Sequence, residues 1–313
     1  MDAFSADYFR NDEAARIFLE GLLWPDGPVC AHCGVINHSY PTKRPGVRRC
    51  AESACRKDFS VTMRTVMERS HIALHKWLQG FHLMTSSKKG VSAHQLHRTL
   101  DITYRSAWFM AHRIREAMRS GGLAPMGGEG QIVEADETYF GNVESRKMRT
   151  APTRGGKFTK SGKGGPSNKR AIVSLVERGG KVRSFHVPRA DKATVAKIVA
   201  DNIAHESRLH TDESKLYAGA DMMFAAHETV NHGRKEYARG DVTTNSAEGF
   251  FSIFKRGMRG VYQHCGEKHL HRYLAEYDFR YNHRIALGIN DGERTALAVK
   301  AAEGKRLTYH QSH

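Results

Sequence analysis

Gln131-Ile132-Val133-Glu134-Ala135-Asp136 reads as a short apolar strand that ends in an acid, and its neighbours decide the fold. Downstream, Ala171 to Val176 and Val182 to Val187 are apolar strands joined by a turn containing Gly179-Gly180, which makes a hairpin. Asp191 caps a helix with Val195, Ile198, Val199 and Ile203 on one face. Ser207-Arg208-Leu209-His210-Thr211-Asp212 is a second short strand ending in an acid. Ser214 to Phe224 then looks helical, and Glu228 to Asn231 is a brief strand. From about Asn245 a helix carries Glu248, Phe251, Phe254 and Lys255. The closing helix, Glu267 to Ile285, turns Leu270, Tyr273, Leu274, Tyr277 and Tyr281 inward and keeps Lys268, His271, Arg272, Arg280 and Arg284 on its other faces.

Strand, hairpin, helix, strand, helix, strand, helix is the order of the ribonuclease H-like α/β fold, whose active acids lie on the first strand, the fourth strand and a late helix. Asp136, Asp212 and Glu248 occupy those stations. Phosphodiester chemistry with two metal ions needs carboxylates that converge on Mg²⁺ or Mn²⁺. Each acid also has a structural reading. Strand-end aspartates are common at turns, and Glu248 fits the third helical position of a capping box begun by Asn245. Glu134, two residues before Asp136, shares its strand face and competes for the metal role, whereas Glu137 points the other way. Lys255 lies two turns beyond Glu248 on the same face, as a phosphate-holding cation or a plain surface lysine.

Working outward, four of the five cysteines fall within 30–55. Cys30-x2-Cys33 and Cys50-x4-Cys55 are two close pairs joined by a short arm, the spacing that a tetrahedral four-thiolate Zn²⁺ site requires. Cys265 reads as a packing residue. The arm carries Lys43, Arg44, Arg48 and Arg49, which suit DNA phosphates; a solvated basic loop is the competing reading.

Between these regions, Leu74, Trp77, Leu78 and Phe81 make one helical stripe, with Ser70 as its expected cap. Ser92 and Gln95 form a capping box for a short helix ending near Leu100. Thr103 then caps a third helix with Ala107, Met110, Ala111, Ile114 and Met118 inward. These are the parts of a helix-turn-helix, in which Thr103, Tyr104 and Arg105 lead into the major groove. A three-helix bundle with a basic face is the alternative.

Lysine and arginine total 49 against 33 acids, a net charge of +16 that points to a polyanion partner, DNA, rather than a membrane. No apolar run approaches the ~20 residues of a bilayer span, and the start lacks the order of a signal peptide, so the expected location is cytoplasmic, at the bacterial nucleoid. The organisation reads as an N-terminal helix and zinc ribbon over 1–66, a helix-turn-helix-like segment over 67–122, a catalytic domain over 128–290 with a basic loop at 141–169, and a tail over 291–313.

The motifs VEADETYFG (133–141), HTDE (210–213), NSAEGFFSIFKR (245–256), KHLHRY (268–273) and FRYN (279–282) resemble a group of bacterial insertion-sequence transposases of the DDE type that carry an N-terminal zinc ribbon. SSKKG (86–90), SAHQLH (92–97) and WFMAHRIR (108–115) look like that group's helical region, so the likeness runs from about Trp24 to Asn282. The resemblance implies binding of transposon ends, metal-dependent cleavage, and attack of the freed 3′-hydroxyl on target DNA, with a homo-oligomer pairing two ends. It implies structural Zn²⁺ and catalytic Mg²⁺ or Mn²⁺, with Asp136 and Asp212 as the first two acids and Lys255 completing the last motif. Members carry Glu or Asn as the third group, and this chain offers Glu248 and Asn245. A carboxylate binds a hard cation better than an amide does, which favours Glu248. Arg256 and Arg272 join the arm and the third helix as expected DNA contacts. A zinc-ribbon regulator with an inactive catalytic domain and a purely hydrolytic nuclease are the alternatives.

Overall fold

The computed structural model describes residues 4–121, 123–143, 169–234 and 236–308. Residues 144–168, most of the expected basic loop, lie outside them. The chain divides into two compact units, Met1–Arg119 with His283–His313, and Ser120–Asn282.

The first unit opens with α1 (Asp12–Leu23), whose N-cap Asn11 accepts the Glu13 and Ala14 N–H groups. A small antiparallel sheet follows, β1 (Ser39–Pro41), β2 (Arg48–Cys50) and β3 (Asp58–Phe59). Then come α2 (Leu74–Ser86), α3 (Ala93–Leu100) and α4 (Tyr104–Met118). Ser92 and Thr103 cap α3 and α4 by accepting the Gln95 and Ser106 N–H groups. Asp101, left-handed at φ 48°, makes the turn between the two helices. Ser70 does not cap α2. Its hydroxyl accepts the Trp77 indole N–H at 2.9 Å, and the His75 N–H in the first turn goes instead to Asp12 of α1 at 3.1 Å.

The second unit is built on a mixed sheet. Its strands are β4 (Ile132–Asn142), β5 (Lys169–Glu177), β6 (Val182–Val187), β7 (Arg208–Asp212) and β8 (Ala226–Val230), in spatial order β6-β5-β4-β7-β8. β4 pairs antiparallel with β5 and parallel with β7, so the first strand of the unit is central. This is the ribonuclease H-like arrangement. The helices are α5 (Lys192–Asn202), α6 (Asn245–Gly257) and α7 (Leu270–Asn282). Both sheet faces are covered, which is why β5 reads as an unbroken apolar run. Ala171, Val173 and Leu175 pack on the α5 side with Val195 and Val199, while Ile172 and Val176 pack on the α6–α7 side with Phe251, Phe254 and Tyr277.

Three expectations are corrected. β4 does not end at Asp136 but continues to Asn142, because β5 keeps pairing with it after β7 has stopped at Glu134. Ser214 to Phe224 is not a helix but two 3-10 turns, Lys215–Tyr217 and Ala220–Met222, broken at Gly219 with φ +96°. Residues 291–300, expected as the start of a tail over 291–313, form a helix. Asn290 and Glu293 form a capping box for α8 (Asp291–Lys300), which packs on α2 of the first unit with Ala298 and Val299 buried.

The outer edge of β6 is closed by side chains of α7. Asp278 accepts the Ser184 N–H at 2.8 Å and its hydroxyl at 2.7 Å. Asn282 accepts the Val182 N–H at 2.6 Å and donates to the Val182 carbonyl at 2.9 Å. An edge strand thus keeps no exposed pairing template there. Asn282→Ala is expected to destabilise the protein by about 1–3 kcal/mol in urea unfolding, the cost of two unmade backbone hydrogen bonds; a change near zero would show that water replaces them.

Candidate active site and metal centre

The four thiols of the first unit already have the shape of a metal site. Their Sγ atoms all lie within 4.8 Å of one another, with Cys30–Cys55 at 3.8 Å and Cys33–Cys50 at 3.6 Å. Four thiolates about 2.3 Å from one Zn²⁺ in a tetrahedron stand roughly 3.8 Å apart, so the donor set fits zinc without rearrangement. Each pair is followed by a left-handed residue, Gly34 (φ 78°) and Arg56 (φ 51°), which turns the chain back under the sulfurs. Burial opposes ionisation of Cys30, but the N–H groups of Cys33 and His32 aimed at its sulfur hold the thiol down to about 7. Little else makes a core here. Cys30 and Cys50 pack with Phe59, Trp24 and Val35, so the metal supplies cohesion that apolar burial does not.

In the second unit, Asp136 lies on the central strand and Asp212 at the end of its parallel neighbour. The last pairing between these strands is Glu134 with His210, and each aspartate sits two residues beyond it. Glu248 is exposed in the first turn of α6. Burial first, then the Asp212 and Glu137 carboxylates, push Asp136 up to about 8, and Glu248 adds to the effect. Burial also raises Asp212 and Glu137. Among the described residues only the four cysteines form a group of three or more metal-ligating side chains with all ligand atoms within 4.8 Å. The acids are therefore more widely spaced than the thiols. Carboxylates are the donors a hard divalent cation prefers, and Asp136 is the acid at which the fields of Asp212, Glu137 and Glu248 add.

Lys255, half-buried two turns after Glu248, has its charge disfavoured by burial and by Arg259, with Asp136 opposing. Asn245 is exposed one turn before Glu248, and its N–H goes to Thr243 Oγ1 at 3.1 Å.

The partners of Glu134 and Glu137, and His232 altogether, escaped sequence reasoning. Glu134 is fully buried, and both its oxygens are taken by protein donors. Glu137 accepts the Tyr217 hydroxyl at 3.0 Å and lies 3.3 Å from the Ser214 hydroxyl. His232 places Nε2 3.4 Å from Glu248 Oε1, and its electrostatic influence favours an ionised Asp212. Its turn is held by Glu213, which accepts the His232 and Gly233 N–H groups at 2.9 Å. No period or spacing marks His232, because it belongs to a short 3-10 turn.

The expected DNA contacts fall in both units. Arg48 donates to Ser39 Oγ at 3.0 Å and its carbonyl at 3.2 Å. Arg49 pairs with Asp58 at 2.7 Å, a carboxylate that Arg44 also binds. Thr103, Tyr104 and Arg105 are exposed at the start of α4, and Tyr104 stacks on His94 with centroids 4.3 Å apart. Arg256 is exposed on α6 and bonds Ser252 Oγ at 2.6 Å, while Arg272 of α7 lies 3.2 Å from His269 Nδ1.

Residues 127–282 match the family model of the ISXO2-like transposase domain, and residues 10–58 match that of the transposase zinc-ribbon domain. The chain belongs to the IS1595-family transposases. The transposase is 29% identical over 264 residues to the "Uncharacterized protein in transposable element ISH50" of Halobacterium salinarum, covering 81% of this chain and 86% of that one. A chain in the cryoEM structure of a simian T-cell lymphotropic virus intasome in complex with PP2A regulatory subunit B56 gamma shares 14% identity. That match covers 58% of the transposase and 67% of the viral-complex chain at a TM-score of 0.28, too low to argue from. The zinc-ribbon match and the four-thiol geometry agree on a structural Zn²⁺ in the transposase.

Two outcomes are expected. Cys30→Ser releases zinc, read by atomic absorption, and lowers the melting temperature of the first unit; unchanged zinc content would overturn the four-thiolate assignment. The second concerns Asp136, whose pKa rises from 3.8 to about 8 on folding. The stability tied to its bound proton is complete below pH ~4 and is lost as pH rises through ~8. Without divalent ions, Asp136→Asn should therefore melt roughly 3–6 °C above wild type at pH 8.5 and show little difference at pH 4.

Proposed function

We propose that this transposase cuts DNA at the ends of its element and joins the freed ends to target DNA, with Asp136, Asp212 and Glu248 as its metal-holding acids. The observation that carries this reading is the placing of Asp136 and Asp212 on adjacent parallel strands, each two residues beyond their last pairing, where burial and three neighbouring acids push Asp136 up to about 8. A fold needing only stability has no reason to gather such repulsion on one strand. When bound, Mg²⁺ or Mn²⁺ supplies activation of the attacking water or 3′-hydroxyl and stabilisation of the leaving oxygen.

The chain's own groups prepare that step. Asp136 gives up its proton as the site loads, so metal binding tightens with rising pH. Glu248 contributes the third carboxylate, supported by its effect on Asp136, which Asn245 as a neutral amide cannot have. Lys255, in the electrostatic field of Asp136, holds a phosphate of the bound strand. Arg48, Arg49, Thr103, Tyr104, Arg105, Arg256 and Arg272 contact DNA, and the net charge of +16 makes binding fall steeply with salt. Pairing two ends calls for a homo-oligomer on DNA, acting at the nucleoid in the cytoplasm. An inactive regulator is not favoured, since its catalytic domain has no need of these acids.

The test incubates purified protein and Mg²⁺ or Mn²⁺ with a labelled fragment carrying its own gene and flanks. Wild type yields discrete 3′ nicks and joined products. Asp136→Asn and Asp212→Asn lose both by at least ~100-fold while retaining end binding, and Glu248→Gln falls further than Asn245→Ala. Wild-type cleavage by either aspartate variant would overturn the assignment. Nicks without joined DNA would leave a hydrolytic nuclease.

A further inference from the structure

The helix that carries Glu248 lacks a cap of its own. Thr244, the N-cap residue of α6, makes no side-chain capping bond. The first-turn N–H groups that such a cap would satisfy go to a residue of the central strand. Glu134 Oε2 accepts the Ser246 N–H at 2.7 Å and the Ala247 N–H at 3.1 Å, and Oε1 accepts the Ser246 hydroxyl at 3.1 Å. A carboxylate at a helix N-terminus is also favoured by the helix dipole.

Glu134 is fully buried, and its charge is met by Arg178 of the β5–β6 turn, which reaches Oε1 through Nε at 3.1 Å and Nη2 at 2.7 Å. The same guanidinium donates to the carbonyls of Asp241 at 2.7 Å and Thr243 at 3.1 Å, the segment that leads into α6. One ion pair thus ties the central strand, the hairpin turn and the start of α6 together. On β4, Asp136 is two residues after Glu134 on the same face; on α6, Glu248 is two residues after Ser246.

We propose that Glu134 is a positioning residue of the acidic site. It caps α6 from the strand that bears Asp136 and so fixes the distance across which Asp136 and Glu248 share a divalent ion. With both oxygens occupied, Glu134 is not itself a ligand. The proposal rests on the reading of Glu248 as a metal-holding acid.

The test measures Mn²⁺ binding by EPR on the zinc-loaded full chain, in wild type, Glu134→Gln, Glu248→Gln and the double variant, with melting temperatures alongside. The glutamine keeps the shape but loses the charge and one acceptor oxygen. Glu134→Gln is expected to weaken Mn²⁺ binding about 10-fold. Once Glu248 is already replaced, Glu134→Gln should add less than ~2-fold, because there is no third ligand left to position. A purely structural role predicts instead a lower melting temperature with wild-type affinity, or losses that multiply in the double variant, and either result overturns the proposal. If Glu248→Gln alone binds Mn²⁺ as wild type does, the ligand reading fails, and the positioning role falls with it. Should Glu134→Gln not fold, Arg178→Lys takes its place with the same expected pattern, since lysine cannot span Glu134, Asp241 and Thr243 at once.

Discussion

Carboxylates gathered beside a buried sheet repel one another, and much of the second unit is arranged around that repulsion. The sheet places Asp136, partly exposed, on its central strand two residues after the fully buried Glu134. Each neighbouring acid that is not part of the proposed ligand set has been given donors. Glu134 takes two helix amides and a guanidinium, Glu137 takes the Tyr217 hydroxyl, and Glu213 takes two amides of the His232 turn. Asp136 and Asp212 each accept one backbone N–H as well, from Glu137 at 2.7 Å and Ser214 at 3.0 Å, yet burial and neighbouring carboxylates still raise both.

The first unit meets an opposite constraint. Its zinc ribbon has short strands and a very small apolar cluster, too little burial to hold a three-stranded sheet. Four thiols within 4.8 Å take the place of a core, and the basic side chains around them are left to face solvent or pair with Asp58. The transposase therefore relates to metal in two ways. The thiol site is closed, whereas the acids on which the proposed second metal depends are partly exposed.

Much of this was legible along the chain. The cysteine spacing, the caps at Ser92, Thr103 and Asp191, and the strand order through β8 all depend on neighbours a few residues apart, where period and turn chemistry act directly. The misreadings share a cause. Ser70 was a plausible cap, but the Trp77 indole took its hydroxyl. The 214–224 stretch has helical composition, yet Gly219 adopts a left-handed turn that lets Tyr217, Ala220 and Phe224 pack under the sheet. The capping box at Asn290 and Glu293 is itself local, but the surface that helix buries against comes from α2, α4 and α1.

By itself, then, the amino-acid sequence determined the metal-binding thiols, the ribonuclease H-like element order and the three stations of Asp136, Asp212 and Glu248. Tertiary structure alone decided which acids are engaged. By periodicity alone Glu134 and Asp136 are alike, since both are acids on one strand face two residues apart. They part only when α6, arriving more than a hundred residues later, lays its first-turn amides on Glu134 and leaves Asp136 facing other carboxylates. Periodicity reports which way a side chain points; what it meets there is set by segments distant along the chain, and for a buried charge that partner determines its chemistry.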